Sequence, residues 1–499
     1  MPLDPVADQL IIFKKKTDGP VGTLKTSAGE PVEKKAATRT LNERSILNHH
    51  FLDGLSRFDR ERIPERVAHA KAGGAFGYFE VTHDITDVCN ADLFSRVGKR
   101  TPIAARFSPV VPERGGVDTS RDARGFALKF YTKEGNFDIA GLNLPIFSIK
   151  DPILFPSLVH AQKKNPATNV FDANMFWDFF TLHPETLFIT LMVFGDPGVP
   201  DGYRYMPGFS VHTYHVVNKC GESYFVRFHF EPDEGRKNLF SKEAAQISCS
   251  DPDYATRDLY RAIGNGDFPS WTASLQVLSE WDIKNAGFDV FDVTKRLPLD
   301  RYPLRPFGRF VLNRNPVNYF AEIEQLAFCP SNLVPYILGA PDKLFESRQF
   351  SYRDTQHHRL GSNFFNIEVN YPIRSNVSSS SYNRDGDAPV LDNQRDLPNY
   401  YPNSFHGPEP YEDKNKVEII KIYEDPPDNF DQAREYYECD MTPGEKKRLV
   451  ENIVGSLITA AKFLQDRAVK MYGLIHPDLS QSIRDGLQMR KNKTQCDCD

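Results

Sequence analysis

The sequence has no hydrophobic run long enough to span a bilayer, and its first residues, MPLDPVADQLIIFKKKTDG, lack the apolar core of a signal peptide. We therefore expect neither a membrane protein nor one secreted by the usual route. A large excess of either sign of charge is also missing, because the chain has 61 lysines and arginines and 67 aspartates and glutamates, for a net charge of -6. A basic face is not expected, which argues against a nucleic-acid partner.

Cysteine is scarce, since seven residues, an odd number, are spread between positions 89 and 498. This distribution does not suit a disulfide framework and predicts reduced thiols in an intracellular compartment. Both the cytosol and the peroxisome are compatible with it, although the letters KNKTQCDCD lack the Ser-Lys-Leu peroxisomal signal.

Several common catalytic motifs are missing too. The stretch GGAFG lacks the preceding strand, the lysine and the helix start of a phosphate-binding loop, and no nucleophile-elbow pattern surrounds a serine. His212 and His215 are three apart in strand-like sequence, so they should point to opposite faces and make a poor metal pair.

What the sequence does contain is four regions of different character. Residues 1–69 are polar and basic and predict an arm that needs a partner surface. Residues 70–314 carry β-forming segments such as FGYFEVTHDI, RGFALKFYT and YFVRFHFEP with short turns, which predict an antiparallel barrel or sandwich. Residues 315–430 are rich in proline, asparagine and serine and predict a long irregular connection. Residues 431–499 have helical periodicity.

Two stretches suggest a functional site. In ERIPERVAHAKAGGAFG, arginines precede His69 and small residues follow it, which would let a large flat group approach closely. In SRQFSYRDTQHHRLG, Arg348 and Tyr352 are four apart and would share one face of a helix. A guanidinium beside a phenol favours the phenolate, which is a recognised ligand of haem iron. Arg359 follows as another cation, suited to a carboxylate.

Seven segments then occur in order: FDRERIPERVAHA, RFSPV, RDARGFALKFYT, NLPIFSIKDPILFPSLVHAQKKNP, VLNRNPVNYFAEIEQLAF, YRDTQHHRLG and NYYPNSF. Together they resemble the monofunctional haem catalases of the small-subunit type over nearly the whole chain. The resemblance implies an α+β fold, in which an antiparallel eight-stranded β-barrel carries an N-terminal arm, a long wrapping loop with the proximal ligand helix, and a C-terminal helical domain. It also implies haem b and a homotetramer in which the arm and the loop reach a neighbouring copy.

The same resemblance implies roles for individual residues. His69, Ser108 and Asn143 match the distal catalytic residues, and Tyr352 matches the proximal iron ligand. The residues that would bind or support the cofactor are Arg66, Arg106, Phe155, His212, Arg348 and Arg359. The implied reaction is the haem-dependent disproportionation of hydrogen peroxide to water and oxygen through a ferryl intermediate, with His69 moving the proton and Asn143 donating a hydrogen bond.

The sequence departs from this family at the surface site where many catalases of this size bind NADPH. Phe188, Pro197, Glu231 and Leu299 stand at positions where the family pattern has histidine, arginine, lysine and histidine. A carboxylate and apolar side chains oppose a polyanionic ligand. We therefore expect NADPH to bind weakly or not at all.

The distal pocket differs as well. Ala68 stands where the family has a bulkier valine, Ser148 where it has an aromatic ring, and Tyr336 where it has a small residue. A roomier pocket leaves open a catalase-like peroxidase, hydroperoxide lyase or allene oxide synthase that acts on organic or lipid hydroperoxides. A haem-binding relative with reduced turnover is a further alternative. Asp122 matches an acidic channel residue and favours hydrogen peroxide, because its field would orient a small polar molecule.

Overall fold

The computed structural model describes residues 3–38, 48–375, 397–398, 400–410, 434, 436–440, 442–458 and 462–496. The chain divides into two compact units, Met1–Val417 and Glu418–Asp499. Much of the predicted wrapping connection and part of the predicted arm lie outside the described residues. The division of the chain after residues 69, 314 and 430 therefore stays a prediction.

Antiparallel strands form one sheet in the first unit. They are β1 (Gly73–Val81), β2 (Arg100–Pro109), β3 (Arg124–Thr132), β4 (Gly135–Leu142), β5 (Gly208–Phe209), β6 (Tyr214–Val217), β7 (Ser223–Pro232), β8 (Ser270–Leu278), β9 (Arg305–Arg314) and β10 (Ile337–Gly339). Eight of them close a ring in the order β1-β2-β3-β4-β5-β7-β8-β9, and β9 pairs back with β1. β6 and β10 extend the sheet beside β7. The predicted eight-stranded antiparallel barrel is confirmed.

The interior of the barrel is a packed aromatic core. Side chains alternate between the two faces of a strand, so one face of each strand points inward. Trp271 stacks on Phe310 with ring centroids 4.7 Å apart, and Phe126 stacks on Phe230 at 5.7 Å. Because side chains fill this interior, a bound cofactor has to lie outside the barrel.

The outer face of neighbouring strands is left free to build a site. On β2, the core residues Ala105 and Phe107 alternate with Arg106 and Ser108, which therefore point outward. On β3, Gly125 lies opposite Ser108 in the strand register. The outer face of β2 and β3 thus combines polar side chains with a residue that has no side chain.

Helices surround the barrel and precede it. In the first unit they are α1 (Gln9–Lys16), α2 (Lys34–Thr38), α3 (His49–Phe58), α4 (Phe155–Gln162), α5 (Ala173–Leu182), α6 (Leu187–Phe194), α7 (Ser241–Ser250), α8 (Tyr254–Asn265), α9 (Glu280–Asn285) and α10 (Lys343–Leu360). Asn48 caps α3 by accepting from Phe51 N, and Asp342 caps α10 by accepting from Phe345 N.

The second unit is helical, as the sequence predicts. Its helices are α11 (Pro443–Leu457), α12 (Lys462–Ile475) and α13 (Pro477–Cys496). Val454, Val469 and Ile483 are buried among them and form the centre of a small apolar core. Among the described helices of the whole chain, none combines the length and the hydropathy that crossing a bilayer requires.

Candidate active site

The absence of a side chain at Gly125 lets the imidazole of His69 approach β2. The Nδ1 atom of His69 lies 3.0 Å from Ser108 Oγ. A Cβ atom on Gly125 would lie only 2.7 Å from each of these two atoms. Any other residue at position 125 would therefore push the imidazole and the hydroxyl apart, which accounts for a glycine inside a β-strand.

The backbone of His69 is held in an unusual conformation. Its φ angle is 64°, in the left-handed region that residues other than glycine seldom adopt. Its N–H donates to Val110 O at 2.8 Å, and its carbonyl oxygen accepts from Arg106 Nη2 at 2.9 Å. Strain of this kind persists only where surrounding contacts enforce it, and it is concentrated at functional sites.

The imidazole of His69 is neutral at ordinary pH. Burial lowers its pKa to about 3, and the nearby charges of Arg106, Arg348 and Arg66 act in the same direction, whereas a hydrogen bond to the backbone of Ser108 raises it. A neutral imidazole can accept a proton, which the imidazolium cannot. Arginines from three different parts of the chain therefore favour the neutral form of this one imidazole.

A small cavity lies beside His69. Its volume is about 80 Å³, and its wall includes Ala68, Asp122, Ser148 and Phe155, the first residue of α4. Ala68 and Ser148, two of the positions at which the sequence departs from the family pattern, therefore face this cavity. Tyr336 instead packs against the barrel core.

Asp122 brings a titratable carboxyl group into the cavity wall. Its Oδ2 accepts from Val110 N at 2.7 Å and from Val111 N at 2.6 Å. Burial raises its pKa to about 6, although the Arg124 guanidinium and these backbone donors lower it. The carboxyl group is therefore ionised at neutral pH and becomes protonated in mildly acidic solution.

A tyrosine and an arginine meet on α10, as their spacing predicts. Arg348 Nη2 donates to Tyr352 Oη at 2.9 Å and also to the backbone oxygen of Ala140, on β4, at 2.7 Å. The pKa of Arg348 is raised despite its burial, because the Tyr352 phenol and other acidic groups stabilise the cation. The guanidinium is therefore a permanent charge fixed against the phenol.

A relay of hydrogen bonds continues behind Arg348. Its Nη1 contacts His212 Nε2 at 2.7 Å, and His212 Nδ1 lies 2.8 Å from Asp342 Oδ2. Since an arginine can only donate, Nε2 is the acceptor and Nδ1 carries the proton that Asp342 accepts. Burial lowers the pKa of His212, so its imidazole is neutral. Sequence reasoning missed Asp342, although its position immediately before a helix is a recognisable N-cap signal.

Three arginines collect around one carboxylate at another edge of the site. Arg66 Nη1 lies 3.1 Å from Glu324 Oε1, and Arg359 Nη1 donates to the backbone oxygen of Glu324 at 2.7 Å. Arg106 joins them on the outer face of β2, and its charge lowers the pKa values of both other arginines. The three predicted carboxylate partners are thus brought together, but sequence reasoning missed Glu324, although it lies within the segment VLNRNPVNYFAEIEQLAF.

Asn143 is placed differently from the other predicted catalytic residues. Its Oδ1 accepts from Arg124 N at 2.7 Å, and its Nδ2 donates to Pro197 O at 3.0 Å. Asn143 lines a separate, larger cavity of about 510 Å³. Its role toward the His69 cavity stays a prediction.

The larger cavity collects several of the positions that depart from the family pattern. Its wall includes Pro197, Glu231 and Leu299, together with a histidine and three arginines, Arg227, Arg236 and Arg296. Arg236 donates from Nε and Nη2 to the two carboxylate oxygens of Glu231, each at 2.6 Å. The histidine, His229, is uncharged at neutral pH because burial lowers its pKa to about 4.

Comparison with known proteins places this arrangement in a family. A family model described as "Catalase" matches residues 25–407, and one described as "Catalase-related immune-responsive" matches residues 423–487. The chain belongs to the catalase family. Its reaction is therefore the disproportionation of hydrogen peroxide to water and oxygen, and haem is the cofactor of its family.

Individual relatives agree along nearly their whole length. The chain is 46% identical to a catalase of Drosophila melanogaster, covering 98% of this chain and 99% of the relative, and 47% identical to one of Mus musculus, covering 96% and 93%. Among solved structures, catalase A from Saccharomyces cerevisiae superposes with a TM-score of 0.77 at 40% identity, over 93% of this chain and 99% of that one.

The side chains of the site fit haem. Three buried guanidinium groups and one carboxylate leave two positive charges without a counter-charge, which matches the two propionates of haem. Within the described residues, the buried Nε atoms of Arg106 and Arg359 have no hydrogen-bond partner, so donors remain for such anions. The arginine-bound phenol of Tyr352 is the kind of group that ligates haem iron.

Proposed function

We propose that the chain decomposes hydrogen peroxide in the cavity beside His69, with haem b ligated by Tyr352. The observation that carries this proposal is the presence, in one site, of a neutral buried imidazole and a phenol held by an arginine. The imidazole provides a base and the phenol an anionic ligand. The charge of Arg348, which contacts Tyr352, also lowers the pKa of His69, and this supports a shared site.

Haem would be held through its iron and through its propionates. Tyr352 would act as phenolate, because the guanidinium of Arg348 favours the charged form. Arg66, Arg106 and Arg359 would pair with the propionates. When bound, haem supplies the two-electron redox chemistry by which one peroxide is reduced to water and a second is oxidised to oxygen.

The proton steps are assigned to His69. Its Nδ1 is engaged by Ser108, so Nε2 is the ring atom left to take a proton from hydrogen peroxide and return it to the leaving oxygen. The hydrogen bond from Arg106 to the backbone of His69 keeps the ring in place. Asn143 would donate to the developing charge, which requires its amide to turn away from Pro197 O toward the His69 cavity.

Hydrogen peroxide is the substrate that suits the cavity. A volume of about 80 Å³ has room for a few water-sized molecules, which suits hydrogen peroxide. The ionised Asp122 in the wall would orient a small polar molecule at neutral pH. The peroxidase, lyase and allene oxide synthase alternatives act on larger organic hydroperoxides, which a cavity of this volume favours less.

NADPH is proposed to bind weakly or not at all. In the larger cavity, Arg236 already pairs with Glu231 and Arg227 donates to the backbone oxygens of Lys295 and Val290, so two of the three arginines in its wall are engaged. His229 is neutral, and Leu299 offers no polar contact. Dinucleotide fluorescence of the protein purified from cells measures this directly, and a stoichiometric NADPH signal would contradict it.

The test of the proposed function is oxygen evolution from hydrogen peroxide by the haem-loaded protein, measured with an oxygen electrode. We expect fast evolution, together with an absorption spectrum that changes in Tyr352→Phe because the phenolate is lost. Lys343→Arg, at the start of the same helix, is a control that should leave the spectrum unchanged. An unchanged spectrum in Tyr352→Phe would refute ligation by Tyr352, and absence of oxygen despite full haem loading would refute the proposed reaction.

The protein is also proposed to be a homotetramer of the small-subunit type. Support comes from the exposed apolar residues on the arm helix α3, which are Leu52, Leu55 and Phe58. A cytosolic or peroxisomal location stays a prediction, which cell fractionation tests.

A further inference from the structure

Glu324 lies at the point where two segments of the site meet. It is the last residue of a single π-helical turn, Phe320–Glu324, and its side chain is only 3% exposed. Single π-helical turns are rare in proteins, and those that occur are often found at functional sites. Glu324 lies within the segment VLNRNPVNYFAEIEQLAF, but the sequence analysis gives it no role and the proposed reaction does not use its carboxylate.

Two arginines are held by Glu324 through both its backbone and its side chain. The backbone oxygen accepts from Arg66 Nη2 at 2.8 Å and from Arg359 Nη1 at 2.7 Å. The carboxylate Oε1 lies 3.1 Å from Arg66 Nη1 and 3.6 Å from Arg359 Nη1. Glu324 therefore contacts two guanidinium groups from distant parts of the chain, which also donate to Leu326 O and to Gln356 Oε1.

The carboxylate is the counter-charge of this cluster. Burial and the charges of Arg106 and Arg359 lower the pKa of Arg66 well below its usual range, and Glu324 acts in the opposite direction. Within the described residues, no other carboxylate lies within salt-bridge distance of Arg66 or Arg359. The repulsion among the arginines is thus opposed mainly by one buried acid.

The second carboxylate oxygen has an unusual environment. Oε2 of Glu324 is buried and, within the described residues, has no hydrogen-bond partner. Leaving a buried acceptor unsatisfied is unfavourable, and a glutamine would not remove the penalty, because its amide N–H groups would need acceptors in the same place. Oε1 accepts from Arg66 Nη1, which an amide oxygen could also do, so the negative charge is what a glutamate adds at this position.

We infer that Glu324 is a positioning residue, which holds Arg66 and Arg359 ready for the haem propionates and supplies the charge that keeps the empty site folded. This inference rests on the proposed binding of haem at these arginines. With the two propionates present, three cations face three anions. Without haem, the cluster carries an excess of two positive charges, and removal of the Glu324 charge raises this excess to three.

The charge balance predicts which form of the protein a neutral variant weakens more. Glu324→Gln keeps the size of the side chain and an oxygen that can accept from Arg66, but it removes the charge. It leaves an excess of three positive charges in the empty site and of only one in the loaded site. The haem-free protein should therefore lose more stability than the haem-loaded protein.

The experiment compares melting temperatures of the full-length protein with and without haem, by calorimetry or circular dichroism. For Glu324→Gln we expect the haem-free Tm to fall by about 5 °C or more, since breaking a buried ion pair is strongly destabilising, and the haem-loaded Tm to fall by less than half as much. Glu324→Asp keeps the charge and should recover most of the haem-free loss. The control is Glu280→Gln on α9, because Glu280 is 64% exposed and pairs with the exposed Lys284 at 3.9 Å, so its loss should shift neither form by more than about 1 °C.

Three outcomes would overturn the inference about Glu324. They are equal losses in the two forms, an aspartate variant as damaged as the glutamine variant, and a haem-free Glu324→Gln as stable as the wild type. If Glu324→Gln is insoluble without haem, the inference requires that haem supplied during expression recovers it, and insolubility in both forms would also overturn it. The Soret band of the wild type reports haem uptake and tests the proposed function separately. Haem uptake together with equal losses of Tm in the two forms would contradict only the role of Glu324. The absence of haem uptake would contradict both proposals.

Discussion

His69 combines a left-handed backbone with a buried imidazole whose ring contact is a hydroxyl. The backbone is held by Val110 O and by Arg106, and the ring is held by Ser108. Burial and three surrounding arginines keep the pKa near 3, so protonation of this residue does not limit the reaction above about pH 4. Both features serve a base that has to remain neutral and stationary.

Replacing His69 should remove the proton step and leave the haem in place. We expect His69→Asn to lower oxygen evolution by about 10²- to 10⁴-fold, the usual contribution of a general acid–base group. Asparagine tolerates the left-handed backbone, so the fold and the carbonyl contact with Arg106 should survive. Oxygen-electrode rates at equal haem content measure the effect. The exposed His83→Asn is the control, and wild-type turnover in His69→Asn would contradict the role assigned to it.

Asp122 should show opposite effects on activity and on stability. Its folded pKa of about 6 lies above the ordinary value of 3.8, so between these pH values the folded protein binds more protons than the unfolded chain, and stability falls as pH rises. Asp122→Asn should remove this loss and raise the free energy of unfolding at pH 7 by up to about 3 kcal/mol. It should also slow peroxide turnover at pH 7, where the wild-type carboxylate is charged.

The pH profile separates the two effects of Asp122. Wild-type turnover should decline as pH falls through about 6, and Asp122→Asn should lack this step. Denaturant unfolding at pH 4 and at pH 7 measures the stability part, and the two proteins should agree most closely at pH 4. A variant with the wild-type activity profile, or with lower stability at pH 7, would show that the carboxylate has no such role.

At the level of elements, α10 is the part of the site that the sequence reveals best. The i, i+4 spacing of Arg348 and Tyr352 is local, and the structure brings the two side chains within 2.9 Å. His69 was found in the same way, from small residues that follow it. Glu324 and the orientation of Asn143 were not found, because both depend on contacts between distant segments that no local pattern encodes.

The start of α10 links helix stability to the phenol. Asp342 accepts from Phe345 N at 2.8 Å as the N-cap and from His212 at 2.8 Å, and His212 contacts Arg348. We expect Asp342→Ala to lose both contacts, with a stability loss of at least about 1 kcal/mol for the cap alone. Asp342→Asn retains a cap acceptor but loses the charge that His212 faces.

These two variants of Asp342 distinguish the cap from the relay. Urea unfolding should show the alanine variant to be less stable than the asparagine variant. The absorption spectrum of the haem-loaded protein should shift in both, because Arg348 and Tyr352 are polarised through His212. Wild-type spectra in both variants would restrict Asp342 to a structural role.

At the scale of the whole molecule, the β-barrel was predictable from the sequence, whereas the assembly of several copies is not displayed by any local sequence pattern. Alternating residues in β2 and β3 carry the core on one face and the site on the other, which is a local period that a sequence displays. The predicted arm, by contrast, contains a strongly amphipathic helix whose apolar residues are exposed in the single chain. Among the described residues, nothing buries these side chains, which supports the proposed assembly.

Assembly should therefore depend on the apolar residues of α3. Leu52, Leu55 and Phe58 are 46%, 45% and 66% exposed and lie along one stripe of the helix. We expect the triple substitution L52S/L55S/F58S to convert the proposed tetramer to smaller species in light scattering coupled to gel filtration, because contacts that bury these side chains would lose their apolar area. Ser56→Ala on the same helix should assemble normally. A triple variant of unchanged mass would mean that α3 does not hold the copies together, and a monomeric wild type would refute the tetramer itself.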